Sequence, residues 1–156
     1  MNIRRYKDSD KEEFLRLHQD FTDFIEELLT PEQLKYEELS ENGIKEWIKA
    51  ELDPKRCVFV VEADKTRLAG FISGDIESDP GSALNNWGVI YAIYVDDQYR
   101  GQGLSGELYS ALEEWFIKQG CKAARVETWV NNKSAIKAYK AMGFDDFYIG
   151  LVKLVT

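Results

Sequence analysis

Apolar residues along this chain follow two different spacings, and the spacing predicts the elements. Runs rich in β-branched and aromatic residues, which are typical of strands, occur at 2–6, 57–62, 68–76, 89–95 and 124–129. Between these runs, apolar residues recur every third or fourth position, as on one face of a helix. Helices are therefore predicted after Asp8, after Pro31, from about 104 to 119, and from 132 to 142. Asn42-Gly43 is expected to interrupt the second of these helices.

The helix ends and the C-terminal segment complete this outline. Gly120 and Gly143 are placed to end the last two helices, and 144–155 is expected to form a last strand or hairpin. The resulting order, β-α-α-β-β-β-α-β-α-β, predicts an α/β (α+β) fold with a mixed sheet and helices on both faces. With 156 residues, the chain is expected to form one domain over 1–156.

Composition and charge narrow the class of protein. Hydrophobic residues make up 44% of the chain, as in a globular protein. No apolar run approaches the ~20 residues needed to span a bilayer, so no membrane partner is expected. The net charge of −8 disfavours nucleic-acid binding and is compatible with a cationic substrate. Cys57 and Cys121 are expected to be reduced core thiols in a cytoplasmic protein, and with a single histidine no metal site is expected.

The most informative segment is the glycine-rich turn from Gln98 to Gly106. It lies between the strand at 89–95 and the helix that begins near 104. Glycines allow a sharp turn and a close approach of the backbone to a ligand. The helix N-terminus offers unpaired N–H groups and the positive end of the helix dipole, and Arg100 adds a charge suited to phosphate oxygens. The segment is therefore predicted to bind a phosphate.

Three kinds of phosphate-binding turn compete for this segment. The P-loop requires Gly-Lys followed by Ser or Thr, whereas Gly103 is followed by Leu104. Gly101, Gly103 and Gly106 match the dinucleotide pattern Gly-x-Gly-x-x-Gly, and the acidic Glu127 lies about 20 residues farther on. That fold places the pattern on its first strand and builds several βαβ units after it, but only 50 residues follow Gly106 here. A pyrophosphate turn for an acyl-CoA is the third kind.

Two segments of the chain together favour the third kind. The positions concerned are Gln98, Gly101 and Gly103 in the turn, and Asn132, Ala135, Tyr139, Gly143 and Phe144 farther on. In this spacing and element order they resemble the two motifs of the GNAT superfamily of acyl-CoA-dependent N-acetyltransferases, and the agreement covers essentially the whole chain. The resemblance implies a mostly antiparallel sheet of about six to seven strands that splays between the fourth and fifth strands.

The resemblance also implies that acetyl-CoA is the co-substrate and that no metal is needed. Backbone N–H groups of the turn would hold the CoA pyrophosphate, and the free edge of the strand at 89–95 would pair with the pantetheine arm. Asn132 would contact that arm, and Tyr139 would lie near the sulfur. The cofactor-binding residues expected in this way are Ile93, Tyr94, Val95, Arg100, Gly101, Gln102, Gly103, Leu104, Ser105, Gly106, Asn132 and Tyr139.

From this resemblance we expect direct transfer in a ternary complex. A primary amine attacks the acetyl carbonyl, and Tyr139 acts as the general acid that protonates the departing thiolate. Glu77, Asp75 and Glu127 are the candidate bases, in that order, and the sequence leaves the choice open. The acidic chain favours a small cationic amine as the acceptor. A non-catalytic acyl-CoA sensor or interaction module of the same fold is the alternative, and a homodimer would be common for the family.

Overall fold

A five-stranded sheet with helices on both faces forms the body of the protein. The structure is a computed structural model that describes residues 1–37 and 39–155. Neighbouring strands are antiparallel except for the last pair, which is parallel. In their order across the sheet, the strands are β1 (Asn2–Arg5), β2 (Cys57–Asp64), β3 (Arg67–Ser78), β4 (Asn86–Val95) and β5 (Ala123–Val126).

Five α-helices are assigned within the described residues: α1 (Lys11–Leu28), α2 (Pro31–Leu34), α3 (Glu41–Glu51), α4 (Leu104–Lys118) and α5 (Lys133–Ala141). The predicted interruption at Asn42-Gly43 is wrong, because α3 runs through both residues. The Ser40 side chain accepts the Gly43 N–H at 3.1 Å and caps α3, so the break between α2 and α3 lies before Ser40.

The sheet separates two apolar cores, and strand alternation decides which side chain enters which core. Along β2, Cys57 and Val61 pack under α4, whereas Val58 and Val60 pack under α1 and α3. This is the expected period of two, in which successive side chains point to opposite faces. Each fully buried aliphatic side chain contributes roughly 1.5–3 kcal/mol relative to exposure, so register errors in β2 would be costly on both faces.

A buried polar cluster fixes α3 against the sheet on the α1 side. His18 of α1, Glu51 of α3 and Ser73 of β3 are all fully buried. The Ser73 hydroxyl donates to one Glu51 carboxylate oxygen at 2.6 Å, and the other oxygen contacts Nε2 of His18. Because a broken buried polar contact is expensive, this cluster holds α1, α3 and β3 in one arrangement.

Both cysteines lie buried as free thiols, as predicted. Burial raises the pKa of Cys57 to about 11, so this thiol is protonated at neutral pH. Within residues 1–37 and 39–155, no helix has the length and apolar character needed to cross a bilayer. The same residues contain no group of three or more His, Cys, Asp or Glu side chains that could hold a metal.

The strand count of six to seven is the main correction to the predicted fold. The structure has five strands, and the expected strand or hairpin at 144–155 is not formed among the described residues. The strand predicted at 124–129 also ends early, at Val126. β5 ends where β4 bends away from it, and residues 144–155 pair with no strand of the described chain although they have strand propensity.

Asp96, directly after β4, joins three elements at the start of the glycine turn. Its buried carboxylate accepts hydrogen bonds from the Gln98 N–H and from the guanidinium groups of Arg16 on α1 and Arg67 on β3, each at 3.0 Å. Burial by itself would raise the pKa of Asp96, but these donors outweigh it and hold the pKa below the ordinary value of 3.8. The turn is therefore fixed relative to both α1 and β3.

We predict that Asp96→Asn lowers the free energy of unfolding by about 2–3 kcal/mol, because it removes the charge from hydrogen bonds to a buried acceptor. The carboxylate contributes stability above its unfolded pKa, and this contribution is lost as the pH falls through the lower folded pKa. The difference between the variant and wild type should therefore shrink below about pH 4. Urea unfolding of wild type and variant at pH values above and below about 4 measures this difference in the free energy of unfolding. Asp97→Asn, at an exposed carboxylate, is the control. An equal loss of stability in Asp96→Asn and Asp97→Asn would contradict the stabilising role assigned to the Asp96 carboxylate.

Candidate active site

The sheet opens where β4 parts from β5. Their parallel pairing runs from Trp87 opposite Ala123 to Ile90 opposite Val126 and then stops. β4 continues to Val95, and among the described strands it pairs only with β3 there. A register shift makes Tyr91 an extra residue in β4 at this point, and such bulges bend a strand. Residues 91–95 therefore carry backbone N–H and C=O groups on an open edge.

The glycine turn lies at the C-terminal end of this open edge. Gly101 and Gly103 both have φ near +76°, in the left-handed region that favours glycine, and Gly103 is the N-cap of α4. The first bond within the helix is donated by the Glu107 N–H to the Gly103 carbonyl at 3.2 Å. A Cβ built on either glycine would have no heavy atom within 4 Å, so the space in front of the turn is open. N–H groups at this helix start are thus available to a ligand.

Arg100 is held at the same end of the cleft. Its Nε donates to the Val95 carbonyl at 2.9 Å, and its Nη1 lies 2.7 Å from the Asp97 carboxylate. The guanidinium carbon lies 5.6 Å from the ring centre of Phe24 and 5.4 Å from that of Tyr94. These contacts place a positive charge beside the positive end of the α4 dipole, which favours an anion there.

The open edge of β4 and the glycine turn line one cleft of about 460 Å³ between the two halves of the sheet. It also takes walls from α1, α3 and α5. The predicted site residues that line it are Ile93, Tyr94, Val95, Arg100, Gly101, Gly103, Leu104, Ser105, Glu127, Asn132 and Tyr139. Gln102 lies in the turn, and Gly106 lies in the first turn of α4, but neither contributes to the lining.

Tyr139 reaches the cleft from α5, which begins where Asn132 caps it. The Asn132 side-chain oxygen accepts the Ala135 N–H at 3.2 Å, which leaves the Asn132 amide nitrogen as a donor. Burial raises the pKa of Tyr139 to about 12. The ring centres of Tyr139 and Phe144 lie 5.9 Å apart. The Tyr139 hydroxyl has no hydrogen-bond partner among the described residues. The phenol is therefore protonated at neutral pH and is available to a ligand.

The three predicted bases lie in different environments. Glu77 on β3 forms an ion pair with Arg125 and accepts a hydrogen bond from Tyr91. Asp75, also on β3, lies 3.4 Å from the Arg56 guanidinium, and neither it nor Glu77 lines the cleft. Glu127 does line the cleft and accepts a hydrogen bond from Tyr148. The structure therefore brings only Glu127 of the three to the predicted cofactor residues.

Glu37 is a cleft residue that the sequence analysis missed. It lies between α2 and α3, lines the cleft, and is partly buried, and this burial raises its pKa. Part of the same cleft wall is aromatic: Phe21 lies 5.7 Å from Trp47 and 5.6 Å from Tyr94 between ring centres. A single acidic residue in a polar connecting segment gives no sign in the sequence that it lines a cleft. In the sequence, Phe21 is identified only as one of the apolar residues on a helix face.

A second concavity of about 540 Å³ lies between β1 and α4, away from the glycine turn. Its walls include the side chains of Arg5, Phe59, Glu107 and Lys118. Its lining includes no residue of the glycine turn or of β4, so we assign the candidate site to the cleft between β4 and β5.

β4 is bulged and parts from its parallel neighbour beside the glycine turn, which is the splayed sheet that the resemblance to the GNAT superfamily implies. A sequence profile of the acetyltransferase (GNAT) family matches residues 15–144, and the chain belongs to this family. The predicted family and fold class are thereby confirmed.

Individual relatives agree with the family assignment. The chain is 31% identical over 87 residues to an acetyltransferase of Agrobacterium fabrum, covering 53% of this chain and 62% of that protein. It is 26% identical over 90 residues to an aminoglycoside N(6')-acetyltransferase type 1 of Salmonella typhimurium, covering 56% of this chain and 61% of the relative. The matches thus span less than two thirds of either relative.

The fold also agrees with a solved structure along its whole length. An aminoglycoside N-acetyltransferase solved in complex with CoA aligns over 99% of both chains, with a TM-score of 0.72 and 18% identity. At this identity the likeness establishes the fold alone.

Proposed function

We propose that this protein transfers an acetyl group from acetyl-CoA to a small cationic primary amine. One observation carries the proposal: the open edge of β4 runs directly into the glycine turn, within one cleft. A strand edge can pair with an arm that contains amide groups, and a helix N-terminus can bind a pyrophosphate. Acetyl-CoA has both groups, joined in this order.

Each part of the donor has a candidate partner in the cleft. Its pyrophosphate would lie on the N–H groups at the start of α4, near the Arg100 guanidinium. The pantetheine amides would pair with the β4 backbone at 93–95, and the Asn132 amide would donate to the arm from the opposite wall. This order directs the thioester towards Tyr139, away from the turn.

The chemistry that this placement supports is direct transfer. The amine nitrogen attacks the acetyl carbonyl, and a backbone N–H of residues 93–95 stabilises the resulting oxyanion. When the intermediate collapses, the carbon–sulfur bond breaks and the Tyr139 phenol gives its proton to the departing thiolate. The amine loses its own proton to a carboxylate of the cleft. No covalent acyl-enzyme is required.

The acceptor side of the cleft suits a cation. The aromatic faces of Phe21, Trp47 and Tyr94 can attract an ammonium group through their π-systems. Glu37 and Glu127 supply the negative charge beside these faces. Burial raises the pKa of Glu37 above the ordinary glutamate value, which favours proton uptake by its carboxylate, and we assign it the proton from the amine.

For the donor site, we predict that Gly103→Val weakens acetyl-CoA binding at least about 100-fold, because a branched side chain fills the space that the pyrophosphate needs. Gly120→Val is the matched control, since Gly120 also has a positive φ (84°), has open space around its Cβ position and ends the same helix far from the cleft. Calorimetry with acetyl-CoA and with NADH checks both variants. Equal affinities in the two variants, or binding of NADH alone, would contradict the donor assignment.

For the acid, we predict that Tyr139→Phe lowers kcat about 100-fold, the low end for general acid–base catalysis, with little change in acetyl-CoA affinity. Because the pKa of Tyr139 is about 12, its ionisation should cause no loss of wild-type activity until the pH approaches that value. CoA release at saturating substrates measures kcat across pH. Unchanged kcat in the variant would remove Tyr139 from the mechanism.

For the acceptor, we predict that Glu37→Gln lowers kcat/KM for cationic amines about 100-fold and removes the loss of activity at acid pH that protonation of Glu37 causes. The control is Glu32→Gln, on an exposed residue of α2 outside the cleft. CoA release is measured with polyamines, aminoglycosides, amino acids and peptides. Identical kinetics in both variants would exclude Glu37, whereas acetyl-CoA binding without turnover of any amine would identify a sensor.

A further inference from the structure

The side-chain amides of Gln33 on α2 and Asn131 in the segment before α5 bind each other reciprocally. Gln33 Nε2 donates to Asn131 Oδ1 at 3.2 Å, and Asn131 Nδ2 donates to Gln33 Oε1 at 3.0 Å. The Asn131 amide also donates to the Leu28 carbonyl, at the end of α1, at 2.8 Å. Both side chains are half-buried, where hydrogen bonds are stronger than in water. We call this contact the amide pair.

The amide pair joins the two walls of the cleft. On the α1 side, it is bonded to Leu28, whose residue lines the cleft. On the α5 side, Asn131 lies between Trp129 and Asn132, which both line the cleft. Gln33 and Asn131 themselves are not part of the lining. The amide pair therefore acts on the cleft through its neighbours, by fixing the distance between the walls.

Gln33 also fixes the segment that carries Glu37. Its side-chain oxygen accepts the Thr30 N–H at 2.9 Å, and its own N–H donates to the Thr30 hydroxyl at 3.2 Å, so Gln33 completes the cap of α2. The Glu37 N–H donates to the Leu34 carbonyl at 3.2 Å, which holds Glu37 at the end of α2. Because α2 has four residues and no fully buried side chain, its position depends on such polar contacts.

The room between the joined walls is limited. The cleft measures about 460 Å³ and would also hold the reactive end of acetyl-CoA. Pockets for one drug-sized ligand alone measure about 300–1,000 Å³. An unbranched aliphatic amine can lay its methylene groups along the Phe21 and Trp47 rings and direct its ammonium group to Glu37. An amine built from bulky rings would require the walls to separate.

We propose that the amide pair selects the acceptor, because it confines the cleft to unbranched aliphatic amines and holds Glu37 where the ammonium group binds. The inference rests on the proposed function, since it names the acceptor class of the same site. Gln33 and Asn131 are positioning residues in this account, because they act through Glu37 and the cleft walls. Selectivity then comes from a contact that excludes the wrong acceptor as well as from groups that attract the right one.

Breaking the amide pair tests the inference, with putrescine as the unbranched amine and kanamycin as the bulky one. In Gln33→Ala and in Asn131→Ala, we expect the ratio of kcat/KM for putrescine to kcat/KM for kanamycin to fall at least about 10-fold, because the walls can separate and Glu37 is released. CoA release measures both rates. A loss of folded protein alone would lower the two rates in proportion and leave their ratio unchanged.

Two further variants separate the amide pair from the cap of α2. Thr30→Ala removes the hydroxyl of the cap and keeps the amide pair, so its ratio should equal that of wild type. The double variant Gln33→Ala/Asn131→Ala should change the ratio no further than either single variant, since both remove one shared interaction. Additive changes, or an equal change in Thr30→Ala, would overturn the inference.

The wild-type rates distinguish failure of the inference from failure of the proposed function. Wild type that acetylates amines but prefers kanamycin to putrescine would overturn the inference and leave the proposed function standing. Single variants with the wild-type ratio would do the same. Wild type that binds acetyl-CoA but releases no CoA with polyamines, aminoglycosides, amino acids or peptides would overturn the proposed function, and the inference with it.

Discussion

The parallel pairing of β4 with β5 ends at Ile90 and Val126, and the cleft exists because it ends there. Continuing the ladder would close the sheet and satisfy the backbone of 91–95 within the protein. The bulge at Tyr91 instead turns β4 away while its other edge stays bonded to β3. A strand held firmly on one side presents its second edge in a fixed geometry, which is a favourable arrangement for orienting an extended ligand.

The surrounding contacts keep this opening in one shape. Asp96 joins the start of the turn to α1 and β3 through Arg16 and Arg67. On the other side of the cleft, Asn131 of the segment before α5 donates to the Leu28 carbonyl at 2.8 Å, so the end of α1 also contacts the α5 side. The groups that would bind the donor and the acceptor are therefore placed by the folded chain before either ligand arrives, which reduces the entropy that binding must overcome.

Local sequence patterns predicted most of the helices and strands. They failed where the structure of a segment depends on residues that are distant in the sequence. The helix expected at 104–119 is Leu104–Lys118, and Gly101 and Gly103 of the turn before it line the cleft. That this turn binds a phosphate stays a prediction. The strand expected at 124–129 stops at Val126, because strand propensity does not report where the neighbouring strand bends. Glu37 could not be predicted, since the cleft that it lines together with Phe21 and Trp47 is assembled from separate parts of the chain. The role of Tyr139 stays a prediction.

The two cores on opposite faces of the sheet have a consequence for how such a protein can diversify. Phe21, Phe24 and Trp47 pack against the core under α1 and α3, whereas Leu104 belongs to the core under α4. Substitutions in separate cores with no shared partners tend to have additive effects on stability. Substitutions at Phe21 or Trp47, in the wall proposed to face the amine, should therefore have little effect on the packing under α4, whereas Phe24 contacts Arg100 of the glycine turn and couples the two sides of the cleft.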